Sequence, residues 1–65
     1  MYRNFLAEMT RNGYTREFIA NQLNLSLPSF RKKMNGEADF KISEINKILS
    51  LFGSSISYEY LFEKD

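Results

Sequence analysis

The sequence contains neither cysteine nor histidine, and this excludes several common kinds of functional site. Without cysteine there is no disulfide and no thiolate ligand for a metal ion. Without histidine the chain lacks the commonest general base and the commonest metal ligand. No apolar run approaches the ~20 residues that span a bilayer. With 65 residues, residues 1–65 are expected to form a single domain with a compact apolar core, and no cofactor is expected.

The acidic residues do not form a recognisable catalytic or metal-binding arrangement. They are scattered along the chain, and none is paired with a base or a second ligand at a meaningful spacing. Glu37 and Asp39 lie in a short acidic segment that is too sparse for a calcium site. There is no glycine-rich phosphate loop. These absences predict a protein that is not an enzyme and has no metal site or small-molecule substrate. The charged N-terminal segment lacks a signal-peptide pattern, so a cytoplasmic location is expected.

Charge is divided unevenly between the two halves of the sequence. Residues 1–36 hold six arginine or lysine residues against two glutamates, whereas residues 37–65 hold three lysines against six acidic residues. The overall formal charge is only +1. This asymmetry suggests that the first half faces a polyanion through a local basic patch.

Apolar residues recur at helical spacing through most of the chain. The clearest case is Ile45, Ile48, Leu49 and Phe52, at positions i, i+3, i+4 and i+7. The pattern predicts an all-α fold, a compact bundle of five short helices at about 3–12, 16–23, 27–34, 43–52 and 57–62. The last segment also alternates in polarity, which fits a short edge strand. A helix is favoured there because a lone strand has nothing to pair with.

Capping residues mark where these helices begin and end. Gly13 and Asn24 suit the left-handed conformation that ends a helix. Thr15, Ser26 and Ser43 are candidate N-caps, since a hydroxyl can accept from the free amides of a first turn. The segments 16–23 and 27–34 are therefore joined by a tight turn. Their predicted inward side chains are Phe18, Ile19 and Leu23 on the first segment, and Leu27, Phe30 and Met34 on the second.

The segments NGYTREFIANQLNLS, PSFRKKMNG and DFKISEINKILSLFG, with the apolar tail YEYLF, carry a family resemblance. A small residue at Ala20, a tight turn, a buried aromatic at Phe30 and then Asn35-Gly36 form the pattern. The chain resembles the helix-turn-helix domain of phage Cro and repressor proteins (the lambda repressor-like, XRE family). It is most similar to compact versions from phages and mobile elements of Gram-positive bacteria. The resemblance covers roughly residues 5 to 62.

The resemblance implies that segment 27–34 lies in the major groove of DNA with its N-terminal residues near base edges. The base contacts it implies come from Leu27, Pro28, Ser29, Arg31 and Lys32. Arg16 and Asn35 match positions that contact the DNA backbone in the family. Lys33 and Lys41 are expected as further phosphate contacts. Phosphate contacts set position and affinity, whereas base contacts read sequence.

The sequence departs from the family pattern at four positions. Asn24 stands where glycine is usual in the turn, which is sterically acceptable. Lys33 stands where an apolar residue is usual, so its stem is expected to cover the core while Met34 fills the space. Leu27 and Pro28 occupy positions that are usually polar. Whether Leu27 belongs to the core or reads DNA stays open.

The resemblance implies a sequence-specific regulator that occupies an operator as two copies on a pseudo-palindromic duplex. The expected homodimer interface lies in the C-terminal part, at Phe52, Ile56, Tyr58, Tyr60 and Phe62. A second hypothesis is a protein-binding module on the same fold, such as an antirepressor, an antitoxin-like partner or a mobile-element inhibitor. The acidic second half and the C-terminal tyrosines favour this alternative.

Overall fold

The computed structural model describes residues 1–64. The last residue of the predicted domain, Asp65, lies outside the described residues. It consists of α1 (Arg3–Asn12), α2 (Arg16–Gln22), α3 (Leu27–Met34), α4 (Ile42–Phe52) and α5 (Tyr58–Leu61). Residues 1–64 contain no strand, and the C-terminal segment is helical. The predicted all-α bundle of short helices is confirmed.

Local signals define most of the helix ends. Gly13 ends α1 at φ 71°, and the Thr15 hydroxyl caps α2 by accepting from the Phe18 N–H. The prediction of Ser43 as the cap of α4 is wrong, because that helix begins at Ile42. The Glu44 carboxylate instead reaches back to accept from the Lys41 N–H at 2.8 Å.

The core is organised around the ring of Phe5, which is fully buried. Its centroid lies 6.3 Å from Phe30 of α3, 6.1 Å from Phe40, 5.7 Å from Phe52 of α4 and 5.6 Å from Phe62. The rings of Phe30, Phe52 and Phe62 meet Phe5 edge to face, and the ring of Phe40 is stacked on it. Aromatic pairs in these geometries are favourable beyond the area they bury. One side chain of α1 thus joins α3, the loop after it, α4 and the C-terminal segment.

Phe18 does not point into the core, so its predicted inward position is wrong. It is 39% exposed, whereas Ile19 and Ala20 are buried. Its ring stacks on Tyr14 with centroids 4.9 Å apart, and the Tyr14 hydroxyl donates to the carbonyl of Leu51 at 3.0 Å. Ile19 and Ala20 occupy the buried face of this short helix, which leaves Phe18 at the edge of the core.

A polar cluster fastens α5 onto α1. The Tyr60 hydroxyl donates to Glu8 Oε2 at 3.0 Å, and Arg11 Nη1 lies 3.3 Å from the same oxygen. Asn4 Nδ2 also donates to the carbonyl of Tyr60 at 2.9 Å. The hydrogen bond to Glu8, partial desolvation and the charge of Glu8 raise the pKa of Tyr60, while the charge of Arg11 opposes the shift. The cluster satisfies a carboxylate that is buried in α1.

Phe5 and Phe18 give a matched pair of variants for testing this core. We expect Phe5→Ala to lower the free energy of unfolding by about 3–5 kcal/mol, because it leaves a cavity among four aromatic rings. Phe18→Ala should cost only about 1 kcal/mol or less, since it removes an edge contact. Urea denaturation followed by circular dichroism measures both. Equal losses for the two variants would contradict the assigned core.

Candidate nucleic-acid interface

The turn between α2 and α3 sets the orientation of these two helices relative to each other. Asn24 adopts a left-handed conformation at φ 57°, as predicted for this position. The Leu25 N–H then donates to the carbonyl of Ala20 at 2.9 Å. Ala20 is buried, and its small side chain allows the two helices to approach closely. α2 and α3 therefore form one compact unit with a defined crossing.

The start of α3 is held by its capping serine. The Ser29 N–H donates to Ser26 Oγ at 3.3 Å, and the two hydroxyl groups lie 3.0 Å apart. Pro28 lies in the first turn, where its missing N–H costs nothing. This arrangement fixes the backbone next to the positions that face outward from α3.

One side of α3 is buried and the opposite side is exposed. Phe30 and Met34 are core residues, whereas the exposed residues of the helix are Pro28, Ser29, Arg31 and Lys32. Leu27 is half-buried and packs against the core, which favours the core role among its two possible roles. The structure thus leaves one hydroxyl, one guanidinium and one ammonium group exposed on α3.

Arg16 and Arg31 line the same groove, which has a volume of about 400 Å³ and lies between the end of α1 and the start of α2. The hydroxyl-bearing residues Thr10 and Thr15 also line it, together with Glu17. Guanidinium groups form paired hydrogen bonds with phosphate oxygens, and the Thr15 hydroxyl adds a further donor. The Thr10 hydroxyl already donates to the carbonyl of Leu6 at 3.2 Å. The groove brings a predicted phosphate contact and a predicted base contact to one surface.

The other predicted phosphate contacts differ in their availability. Asn35 and Lys41 are exposed, at the two ends of the loop between α3 and α4. Lys33 is not available, because its Nζ lies 2.7 Å from Glu44 Oε1 and 2.9 Å from Oε2. Only 12% of the Lys33 side chain is exposed. We therefore correct the set of candidate phosphate contacts by removing Lys33.

Glu44 carries an ionised carboxylate in a site with little access to water. Its side chain is 8% exposed. Burial acts to raise the pKa of Glu44, but hydrogen bonds from Lys33 and the Lys41 N–H, with the charges of both lysines, outweigh it and lower the pKa. Sequence reasoning missed this pair. The only available signal was a glutamate in the first turn of a helix, and this does not reveal a partner on α3.

The predicted dimer surface is only partly exposed. Phe52 is buried and contacts Phe5 and Tyr14, so its assignment to an interface is wrong for the folded domain. Ile56 and Phe62 are half-buried and pack against the core. The exposed members are Tyr58 at 49% and Tyr60 at 38%, and the Tyr60 hydroxyl is already bonded to Glu8.

Neither a metal site nor a membrane-spanning helix is found in residues 1–64. Within this range no three acidic residues come together as a set that could hold a metal ion. No helix in the same range has the length and apolar character needed to cross a bilayer.

Comparison with known families gives a match over nearly the whole chain. A model of the BetR domain family matches residues 3–65, and this family is a small helix-turn-helix-like DNA-binding family. No curated protein and no solved structure gave a match. The prediction of a helix-turn-helix DNA-binding domain is confirmed at this level. The narrower assignment to Cro and repressor domains stays a prediction.

The lowered pKa of Glu44 makes the stability of the domain sensitive to acid. A carboxyl group whose pKa is lower in the folded state stabilises the fold above its unfolded pKa, and this contribution is lost as the pH falls through the folded value. We expect Glu44→Gln to reduce the free energy of unfolding at neutral pH by about 1–3 kcal/mol. The difference from the wild type should shrink once the pH falls below the ordinary glutamate value of 4.5 and disappear below the lower pKa of the folded state.

Urea denaturation at a series of pH values measures this difference. Glu37→Gln is the matched control, because Glu37 is exposed and its change should stay within about 0.5 kcal/mol of the wild type. A gap between Glu44→Gln and the wild type that stays constant down to about pH 3 would contradict the role assigned to the ionised carboxylate.

Proposed function

The chain belongs to the BetR domain family, and we propose that it is a sequence-specific regulator that binds double-stranded DNA with α3 in the major groove. The observation that carries this proposal is the division of α3 into two sides. Phe30 and Met34 anchor it in the core, while Ser29, Arg31 and Lys32 form an exposed row. A helix held from behind in this way can enter a groove without losing its own packing.

The exposed row has the chemistry needed to read bases. Arg31 can donate two hydrogen bonds to O6 and N7 of guanine, and the hydroxyl of Ser29 can donate or accept. Pro28 offers only apolar contact, for example with a thymine methyl group. Leu27 adds to this contact only through the part of its side chain that the core leaves open. Specificity in this proposal rests mainly on Ser29 and Arg31.

The phosphate contacts in this proposal lie on both sides of α3. Arg16 shares a groove with Arg31, and Asn35 and Lys41 are exposed on the loop that follows α3. Lys32 is exposed on the helix itself and can reach either a base or a phosphate. Contacts on both sides of a recognition helix fix its register along the duplex.

The finer proposal is a Cro-like repressor of a phage or mobile element that occupies an operator near a promoter. We propose two copies on a pseudo-palindromic site about one helical turn apart, because one such module buries little DNA surface. The proposed role is binding without catalysis, in the cytoplasm where the DNA is accessible.

Binding to duplex DNA as a function of salt concentration tests the proposal. We expect Arg31→Ala to weaken binding to a selected duplex by about 1–3 kcal/mol and to relax the preference at one base position. If Lys32 contacts a phosphate, Lys32→Ala should weaken binding to all sequences about equally and reduce the salt slope by about 1. Fluorescence anisotropy with a duplex selected from a random pool measures both effects.

Lys64→Ala is the control for this experiment, since it removes the same charge from the C-terminal end, where Lys64 lies 6.0 Å from the ring centre of Tyr2. It should change neither affinity nor base preference by more than the bulk charge effect. The proposal is wrong if the wild type shows no affinity for duplex DNA at low salt. It is also wrong if Arg31→Ala and Lys32→Ala bind as the wild type does.

The proposed homodimer depends on Tyr58, the more exposed of the two tyrosines of α5. We expect Tyr58→Ser to weaken self-association with little loss of stability, because about half of this side chain is already exposed. Analytical ultracentrifugation with and without the selected duplex measures the oligomeric state. Phe18→Ser is a matched control at another exposed aromatic residue. An unchanged dimer in Tyr58→Ser would place the interface elsewhere.

A second candidate function is a protein-binding module, and the exposure of Tyr58 and Tyr60 favours it. Aromatic side chains with an apolar ring and a polar tip are enriched at protein interfaces. Retention of a host protein by the wild type but not by Tyr58→Ser, together with no affinity for duplex DNA at low salt, would establish this alternative.

A further inference from the structure

Three parts of the molecule meet at the carboxylate of Glu44. Lys33 of α3 places its Nζ 2.7 Å from Oε1 and 2.9 Å from Oε2. The backbone N–H of Lys41, at the end of the loop, donates to Oε1 at 2.8 Å. Glu44 itself lies in the first turn of α4. This one group therefore connects the proposed reading helix, the end of the following loop and the start of the next helix.

The other end of the same loop is bonded directly to α3. The N–H of Asn35 donates to the carbonyl of Arg31 at 2.9 Å, and the N–H of Glu37 donates to the carbonyl of Lys32 at 2.9 Å. Gly36 between them has φ 82°, a conformation that glycine adopts without strain. The loop is thus tied to α3 at its start by backbone hydrogen bonds and at its end through Glu44.

Because the Lys33–Glu44 pair is buried, it constrains the geometry of the loop more than it adds to stability. With side-chain exposures of 12% and 8%, neither group can readily exchange its partner for water. A pair at this depth gives little net stability compared with two apolar side chains, because both ions lose hydration. Its hydrogen bonds nevertheless hold a definite geometry, and that geometry fixes Lys41 relative to α3.

We propose that Glu44 is a positioning residue for DNA binding. By holding Lys33 and the Lys41 backbone together, it places the loop where Asn35 and Lys41 contact phosphates while α3 contacts the bases. This inference rests on the proposed DNA-binding function. It adds a residue that touches no DNA and acts entirely through its neighbours.

The direction in which Glu44→Gln changes the affinity for DNA separates a positioning role from a simple electrostatic effect. Glu44→Gln removes a negative charge and releases the ammonium group of Lys33, and both changes increase the attraction to phosphates. A bulk charge effect therefore predicts tighter binding. A positioning role predicts weaker binding, because the loop must then be ordered each time DNA binds.

The test compares Glu44→Gln with Glu37→Gln on a duplex selected by the wild-type protein from a random 20-base-pair pool. Glu37 lies in the same loop and is exposed, so this control makes the same change in charge. We expect Glu44→Gln to bind about tenfold more weakly, which is the cost of ordering one or two side chains. Its salt slope should fall by about 0.9 for each phosphate that the variant no longer neutralises. Glu37→Gln should bind as tightly as the wild type or tighter.

The double variant Lys33→Met/Glu44→Gln keeps the wild-type net charge and removes the unpaired lysine. It guards against a single variant that fails to fold, and circular dichroism checks that each protein is folded at the binding temperature. We expect the double variant also to bind about tenfold more weakly than the wild type. Amide hydrogen exchange gives a readout without DNA, and the Lys41 amide should exchange faster in both variants.

The outcomes distinguish the two proposals. If the wild type binds the duplex and the folded Glu44 variants bind as tightly as Glu37→Gln, the positioning role is wrong while the proposed function stands. Unchanged exchange at the Lys41 amide would also overturn the positioning role. If the wild type binds no duplex, the proposed function fails and the positioning role fails with it.

Discussion

The structure depends on the burial of one aromatic ring, that of Phe5. The chain has no disulfide, and its longest helix, α4, has 11 residues. Isolated helices of this length are marginal in water, so their stability must come from packing. Phe5 supplies a contact that α3, the loop at Phe40, α4 and the C-terminal segment at Phe62 all share. Each helix is thus stabilised by a core to which α1 contributes the central residue.

The outward direction of α3 follows from this core. Phe30 contacts both Phe5 and Phe40, which fixes the rotation of the helix about its axis. The side chain of Arg31, the next residue, must then lie about 100° around the helix, on the exposed side. The proposed reading surface is therefore a consequence of how its neighbour is buried. A substitution in the core next to α3 would therefore rotate the helix or loosen its exposed surface.

Most features governed by neighbours in sequence were predictable, with the cap predicted at Ser43 as the exception, whereas several governed by tertiary contacts were not. The caps at Thr15 and Ser26 and the left-handed turn at Asn24 depend on residues within one helical turn, and the structure has them where the sequence indicates. Phe18 was misplaced because its spacing fits the core, and only the fold reveals that Tyr14 offers it a stacking partner at the edge. The exposed row on α3 could be identified from the helix pattern, but the groove that joins Arg31 to Arg16 could not.

The Lys33–Glu44 pair shows what a departure from a family pattern can mean. In the Cro and repressor domains that the sequence resembles, the position of Lys33 is usually apolar. Here Met34 is buried instead, and the ammonium group of Lys33 is paired with the carboxylate of Glu44, eleven positions later. An apolar residue would pack against α4 without fixing the loop, because it offers no directional contact. A lysine paired with a glutamate loses this apolar packing, but its hydrogen bonds fix the positions of α3, the loop and α4 relative to one another. In a domain with so small a core, such a constraint can define the spacing of a binding surface where packing alone does not.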